Sequence, residues 1–361
     1  MHTISTLGSH SALDVCEGAK AEGYKTLVVA QKGREKTYLG PYKTRMRAGK
    51  EVGVVDELLL LEKFKDITGK ESQDFLARRD CIFVPNRSFA VYVGYDAIEK
   101  IFDIPVFGNK FLLRAEERGE RKNQYDLMKK AGIRMPKQFR SPKDIDRLAI
   151  VKVSEAERTY ERAFFLARNF GEYQERSKEL IKTGKITSMQ LEKAKIEEYI
   201  VGAQFNLNFF YSPIHGELEL LGIDMRRQTN MDGYLRMPAD VQLELLRTRQ
   251  PSTIEIGHVA CTLRESLLEQ VFDLGEKFVR AVEGEYKKGL IGPFALQGAF
   301  IEEGKEEFVC FDVSLRMPGS PGTRFTPYSG YLLRENVSFG RRIAMEIKEA
   351  EKQERMDEIT S

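Results

Sequence analysis

The chain has no tryptophan, four histidines, four cysteines, and no apolar run near the ~18 residues of a membrane span. The cysteines, Cys16, Cys81, Cys261 and Cys310, lie far apart among apolar residues. That spacing excludes a CxxC redox or zinc motif and predicts buried thiols. No Ser/His/Asp or Cys/His arrangement marks a side-chain nucleophile. Charge of one sign is lacking too, with Lys+Arg at 57 against Asp+Glu at 55. Bulk charge therefore gives no reason to expect nucleic acid or a membrane as partner, and any anion site must be local. No secretory leader, repeat or low-complexity tract is seen, which predicts a cytoplasmic protein.

What is present is ordinary in bulk and specific in pattern. With 361 residues, 42% hydrophobic and 31% charged, the chain can bury a large core in two or three subdomains. An apolar run containing Ile4 and Leu7 breaks at Gly8-Ser9-His10-Ser11. Ala12, Val15, Cys16 and Ala19 then repeat at helical spacing, Gly23 closes, and Thr26–Ala30 is apolar again. This reads as strand, tight turn, helix, strand. Such turns sit at the carboxyl edge of a parallel sheet, where open α/β folds bind ligands. Gly8 permits a sharp turn, Ser9 or His10 can cap the helix, and the first helical N–H groups can hold an anion.

Further strands are predicted at 3–7, 26–30, 54–60, 81–85 and 104–107, with helices at 11–22, 71–79 and 94–102. A charged helix over 116–132 ends at Gly132, before Pro136. Ser141-Pro142 opens a short turn. A hairpin follows from strands 149–153 and 163–167, the first bearing Lys152. Helices are expected at 171–184, 187–194, 265–288 and 339–357. Between them, Phe205, Leu207 and Phe209, then Leu218, Leu220 and Ile223, suggest an antiparallel sheet with one covered face. The last strands are predicted near 294–297 and 308–313.

A doubly wound start, a Lys-bearing hairpin, Ile196-Glu197-Glu198-Tyr199, an antiparallel sheet and a late strand with an acid resemble the ATP-grasp ligases. Thr6-Leu7-Gly8-Ser9-His10-Ser11, Val106-Phe107-Gly108-Asn109, Leu220-Leu221-Gly222-Ile223-Asp224, Gly292-Pro293-Phe294 and Arg341-Arg342-Ile343-Ala344 narrow this resemblance. They are similar to the archaeal formyl ligases of purine biosynthesis, in order over nearly the whole chain. The resemblance implies an α/β protein: a Rossmann-like ribonucleotide-binding domain at 1–115 and an ATP-grasp region at 116–361. The latter divides into a hairpin subdomain at about 133–200 and a catalytic subdomain at about 201–361. It further implies a homo-oligomer that joins formate to 5-aminoimidazole-4-carboxamide ribonucleotide, with ATP and magnesium (manganese as an alternative), through formyl phosphate.

By the same resemblance, His10, Ser88 and His258 contact the ribonucleotide. Lys110 and Lys152 meet ATP phosphates as point charges. Glu197, Glu198, Tyr199 and Ile200 hold adenine and ribose, and Gln228 stands at a further ATP contact. Gln297 and Asp312 match the metal positions, which suit an ion that takes oxygen donors and keeps its waters. Read without the resemblance, the same residues are a helix cap, a turn serine, solvated strand ends and polar residues facing a cleft. The stretch from Pro318 to Ser329 reads as a loop on the substrate side.

The chain departs from the family pattern at four places. Residues 154–162 carry no glycine and three glutamates where relatives have a glycine-rich, basic loop. Glycine lets backbone N–H groups approach phosphate closely, whereas a glutamate repels it by about 1 kcal/mol per pair at 4 Å in water. Arg158 and Arg162 compensate only if they point inward. Gln228 stands for Glu, His258 for Asn, and Asp312 for Glu, which draws that carboxylate back by roughly one C–C bond, ~1.5 Å. The active ligase is the expectation. The alternatives are a paralogue that binds purine nucleotides without turnover, or a ligase for another acid and amine.

Overall fold

The computed structural model describes residues 2–9, 11–153, 164–248, 253–302 and 304–361. His10 and the 154–162 loop thus lie outside the described residues. The chain opens with β1 (Thr3–Leu7), β2 (Lys25–Gln31), a small ribbon of β3 (Arg45–Arg47) and β4 (Lys50–Val52), then β5 (Glu57–Leu61) and β6 (Cys81–Val84). These build a parallel sheet in the order β5-β2-β1-β6. β1 and β6 are buried along their whole length, and the hydroxyls of Ser5 and Thr6 on β1 donate to Ile82 O and Val84 O of β6. The strand expected at 104–107 reduces to a single bridge, Val106 to Phe83.

Helix Ala12–Ala21 follows β1 and ends as its sequence predicts: Gly23 takes φ +91°, and Tyr24 N–H donates to Ala19 O. Its start differs. Neither Ser9 nor any side chain of Ser11 caps it, and Ser11 itself is left-handed at φ 36°. Gly8 is needed for room rather than for its torsion: a β-carbon there would lie 2.8 Å from Tyr38 Cε2. The helix expected over 116–132 is confined to Gln124–Lys130. Asn123 caps it by accepting from Tyr125 N–H, and Asp126 reaches back to Asn123 N–H, so the chain before Asn123 is held out of the helix. Gly132, at φ +64°, ends it as expected.

A second sheet has β7 (Gln138–Phe139), β8 (Ala149–Lys152), β9 (Phe164–Ala167) and β10 (Lys195–Glu198), ordered β7-β10-β8-β9. Helices Phe170–Lys182 and Ser188–Glu192 match their predicted places. A third sheet has β11 (Ala203–Ser212), β12 (Glu217–Thr229), β13 (Thr253–Cys261), β14 (Gly292–Glu302) and β15 (Glu306–Ser314). It is antiparallel throughout, ordered β13-β12-β11-β14-β15. The sheets and their succession are those of an ATP-grasp fold behind a Rossmann-like sheet.

Alternation gives the third sheet two unlike faces. Leu207, Phe209, Leu220, Phe294 and Leu296 pack with Val271 and Phe278 of helix Leu268–Glu283. Asn206, paired with Asp224 and Gln297, lies on the other face with Asn208. The helix predicted at 339–357 is split into Phe339–Lys352 and Met356–Ile359. Helices Met231–Tyr234, Ala239–Thr248 and Tyr328–Leu333 have no counterpart in the sequence reading. Helix Phe339–Lys352 crosses Ala12–Ala21 at two glycines. A β-carbon on Gly18 would lie 2.0 Å from Arg341 N, and one on Gly340 2.0 Å from Asp14 O.

Three of the predicted thiols are buried and Cys261 is half-buried; burial pushes Cys81 up to about 11 and Cys310 up to about 12. Among the described residues no helix is long and apolar enough to cross a membrane.

Candidate active site

The second and third sheets face each other across an open cleft. The strands that make it turn their polar positions inward because their apolar ones are engaged with helices behind them. Lys152, the last residue of β8, and Glu197 of β10 reach the cleft from one side; Asn206, Arg226, Gln297 and Asp312 reach it from the other.

Lys152 is buried, and its Nζ donates to Glu197 Oε2 at 2.8 Å and to Phe311 O at 3.2 Å. The second oxygen of Glu197 accepts from the Tyr125 hydroxyl. Burial, reinforced by the Glu197 charge, pushes the Tyr125 hydroxyl well above its usual range, so it remains a donor. Both Glu197 oxygens are therefore engaged, and Glu197 is the counter-ion of Lys152 in this structure. Glu198 is more open. It accepts from Arg147 Nη1 at 3.1 Å and from Lys137 N at 3.2 Å. Tyr199 and Ile200 line the cleft beside it, with Tyr199 N–H donating to Leu148 O.

Gln297 and Asp312 stand opposite each other on β14 and β15, where a register shift follows Gln297. Gln297 Nε2 donates to Ser314 Oγ at 2.8 Å, which ties the amide to β15 beside Asp312. Asp312 Oδ1 accepts from Arg118 Nη2 at 2.8 Å. The segment carrying Asp312 is pinned from before the Gln124 helix: Val313 N–H donates to Gln124 Oε1 at 2.7 Å, and Leu315 N–H to Glu116 Oε1 at 2.6 Å. Among the described residues no three His, Cys, Asp or Glu side chains converge as a metal cage. One amide and one carboxylate oxygen nonetheless suit a magnesium ion that takes its other ligands from phosphates and water.

Farther along the same sheet face lies a second polar centre. Asp224 is 1% exposed and accepts from Asn206 Nδ2 at 2.8 Å and Asn208 Nδ2 at 2.6 Å. His258 Nδ1 is 2.5 Å from its Oδ2. The expected substrate-side loop lies over this face. Ser320 Oγ donates to Asn208 Oδ1 at 3.4 Å, and Thr323 and Thr326 fill the space a side chain at Gly222 would need. The same loop reaches the N-terminal turn, where Ser11 Oγ donates to Pro318 O and Met317 bridges Asn86. Ser88, in the helix Arg87–Val93 that follows β6, reaches that turn, its Oγ donating to Ser9 Oγ at 2.7 Å.

The structure thus brings Lys152, Glu197, Glu198, Tyr199, Ile200, Gln297 and Asp312 to one cleft, and joins His258 to it through Asp224 and Asn206. The expectation for Lys110 is corrected. Its Nζ donates to Phe102 O at 3.1 Å and its N–H to Ser361 Oγ at 2.8 Å, away from Lys152. Gln228 lies on β12, its side chain outside the description. Sequence reasoning passed over Arg118, Tyr125, Asn206, Asn208 and the role of Asp224. The alternation that marked Phe205, Leu207 and Phe209 carried a signal for the two asparagines between them; nothing local marked Arg118 or Tyr125.

Residues 4–139 match a family described as "Protein of unknown function (DUF1246)", and residues 172–361 one described as "Domain of unknown function (DUF1297)". A Methanopyrus kandleri protein named 5-formaminoimidazole-4-carboxamide-1-(beta)-D-ribofuranosyl 5'-monophosphate synthetase is 41% identical over 348 residues, 96% of this chain and 92% of that one. A crystal structure of an IMP biosynthesis protein PurP from Thermococcus kodakaraensis matches with a TM-score of 0.72 at 30% identity, covering 99% of this chain and 100% of that one. The ADP complex of purK, an N5-carboxyaminoimidazole ribonucleotide synthetase, matches with a TM-score of 0.60 at 11% identity, over 93% of this chain and 78% of that one, a likeness of fold.

Proposed function

We propose that this chain, which belongs to the family of 5-formaminoimidazole-4-carboxamide ribonucleotide synthetases, formylates the 5-amino group of aminoimidazole carboxamide ribonucleotide with formate and ATP. The observation that carries the reading is the convergence of Lys152, Glu197, Gln297 and Asp312, from four different strands, on a single cleft. A formate oxygen attacks the γ-phosphorus, ADP leaves, and the amine displaces phosphate from the formyl carbon. No side-chain nucleophile is needed; positioning and electrostatics do the work.

In this reading Lys152 meets the nucleotide phosphates, exchanging part of its contact with Glu197 for them. Glu198, Tyr199 and Ile200 hold adenine and ribose, with Gln228 as a further contact. Ser88, His10 and His258 hold the ribonucleotide. Gln297 and Asp312 would hold magnesium, or manganese in its place, which when bound neutralises phosphate charge. Arg118 orients Asp312. The domain limits follow the sheets: 1–115 for the ribonucleotide side and 116–361 for the ATP-grasp region. The chain is proposed to assemble with copies of itself; Leu235, Leu243 and Ile256, which are 67%, 62% and 76% exposed, are apolar side chains that such a contact would cover. Light scattering tests that assembly.

The decisive experiment measures ADP release with ATP, magnesium, formate and the ribonucleotide, omitting each in turn. Release that needs all four supports the ligase. Absence of release, with the ribonucleotide still binding by calorimetry, leaves a nucleotide-binding protein instead.

A further inference from the structure

His258 is part-buried on β13 with its ring against a buried carboxylate, and its surroundings fix what the imidazole can do. A carboxylate only accepts hydrogen bonds. At 2.5 Å from Asp224 Oδ2, His258 Nδ1 therefore carries the proton, and Nε2 is left as the basic nitrogen of the neutral ring. Asp224 cannot turn away, because Asn206 and Asn208 donate to its two oxygens. The carboxylate is 1% exposed and the imidazole 12%, so the pair meets solvent through the ring. His258 stands opposite Arg226 on β12, and Arg226 and Asn206 both line the cleft. A buried acid that fixes the tautomer of a partly open histidine is the arrangement that general bases use.

We propose that His258, oriented by Asp224, accepts the proton that the acceptor amine sheds as it is formylated. This rests on the ligase reading above. The amine lone pair forms the new N–C bond, the C–O bond to phosphate breaks, and phosphate leaves with that electron pair. The amine proton passes to His258 Nε2 and then to solvent. His258 is the catalytic residue and Asp224 a positioning residue.

Among the described residues, these charged and titratable groups face the imidazole. β12 presents Asp224 and Arg226. The turn Pro321–Phe325, packed on β13, presents Arg324, which is paired with Glu17. Beyond it, Tyr328 takes the N–H of Leu263 on its hydroxyl, and the Cys261 thiol, pushed up to about 11 by burial, stays neutral.

The test is the pH dependence of formate-dependent turnover between about pH 5 and 8, where an imidazole titrates. The wild type is expected to lose kcat/KM for the ribonucleotide toward acid with unit slope. His258→Asn is expected to lose that limb and to lower kcat by about 100-fold, with KM for ATP unchanged as the check on folding. Asp224→Asn is expected to lower kcat and displace the limb, since an amide can donate to Nδ1 and favour the wrong tautomer. A flat wild-type profile overturns the proposal without any variant. So does a His258→Asn protein that keeps the acid limb, or whose loss is confined to KM. A wild type with no turnover at any pH instead overturns the ligase reading on which the proposal stands.

Discussion

At the Lys152 end of the cleft a cation and an anion from two strands of one sheet neutralise each other, whereas at the His258 end one carboxylate is ringed by neutral donors. The first arrangement keeps a positive charge desolvated and ready, at the cost that an incoming phosphate must compete with Glu197 for it. The second keeps its negative charge, delivered to the cleft only through an imidazole. On the proposed function, one cleft carries a stored cation at the phosphate end and a stored proton acceptor at the amine end.

Lys152→Met should break the comparison most severely. It leaves Glu197 buried with only a tyrosine hydroxyl, so stability should fall by about 3 kcal/mol or more, read by denaturant titration, and ADP release should vanish. The double variant Lys152→Met, Glu197→Leu sharpens it: most of the stability should return while activity does not. Recovery of ADP release would sink the assignment of Lys152 to the phosphates.

A buried acid near the N-terminal turn extends the contrast. Asp14 is raised from 3.8 to about 6, chiefly by burial. A raised carboxylate pKa means that the folded state holds the proton more tightly. That contribution to stability is complete below about pH 3.8 and is lost as pH rises through about 6. Asp14→Asn should thus stabilise the protein at pH 7 by up to roughly 3 kcal/mol, an advantage that disappears below about pH 4. Thermal melts across that range check it, and an advantage that is the same at every pH would refute the cause.

Arg118→Gln should weaken the metal dependence of turnover by freeing Asp312 from its partner, a change expected to be about tenfold. Unaltered magnesium activation would separate Arg118 from the metal site. The smallest effect belongs to the loop over the acceptor end. Ser320→Ala removes one hydrogen bond to Asn208 and should cost about 1 kcal/mol or less, with KM for the ribonucleotide rising while that for ATP does not.

The sheets were legible because strands with covered faces write their periods into the chain, and Lys152 because it is a lysine at the end of one such strand; Gln297 and Asp312 were singled out only by the family resemblance. The helix over 116–132 was misread since its charge pattern continues through Asn123, while a capping box decides where it starts. Arg118 and Tyr125 escaped for a related reason. Each acts on a partner far along the chain, Asp312 and Glu197, and no local spacing records such a pairing. Glu197 was identified as a site residue but not as a counter-ion, because only the antiparallel register of β8 and β10 puts it on the face of Lys152.

The crossing of helices Ala12–Ala21 and Phe339–Lys352 acts as a gauge set by missing atoms. Gly18 and Gly340 leave no space for a methyl group on either side, so the helix that follows the Ser9 turn is seated at a fixed depth against the last long helix. An amine and an acyl carbon held by different parts of the chain react only if their separation is right to a fraction of an ångström. Two hydrogens, as the smallest side chains there are, set that spacing, and a larger side chain at either position must push the two helices apart.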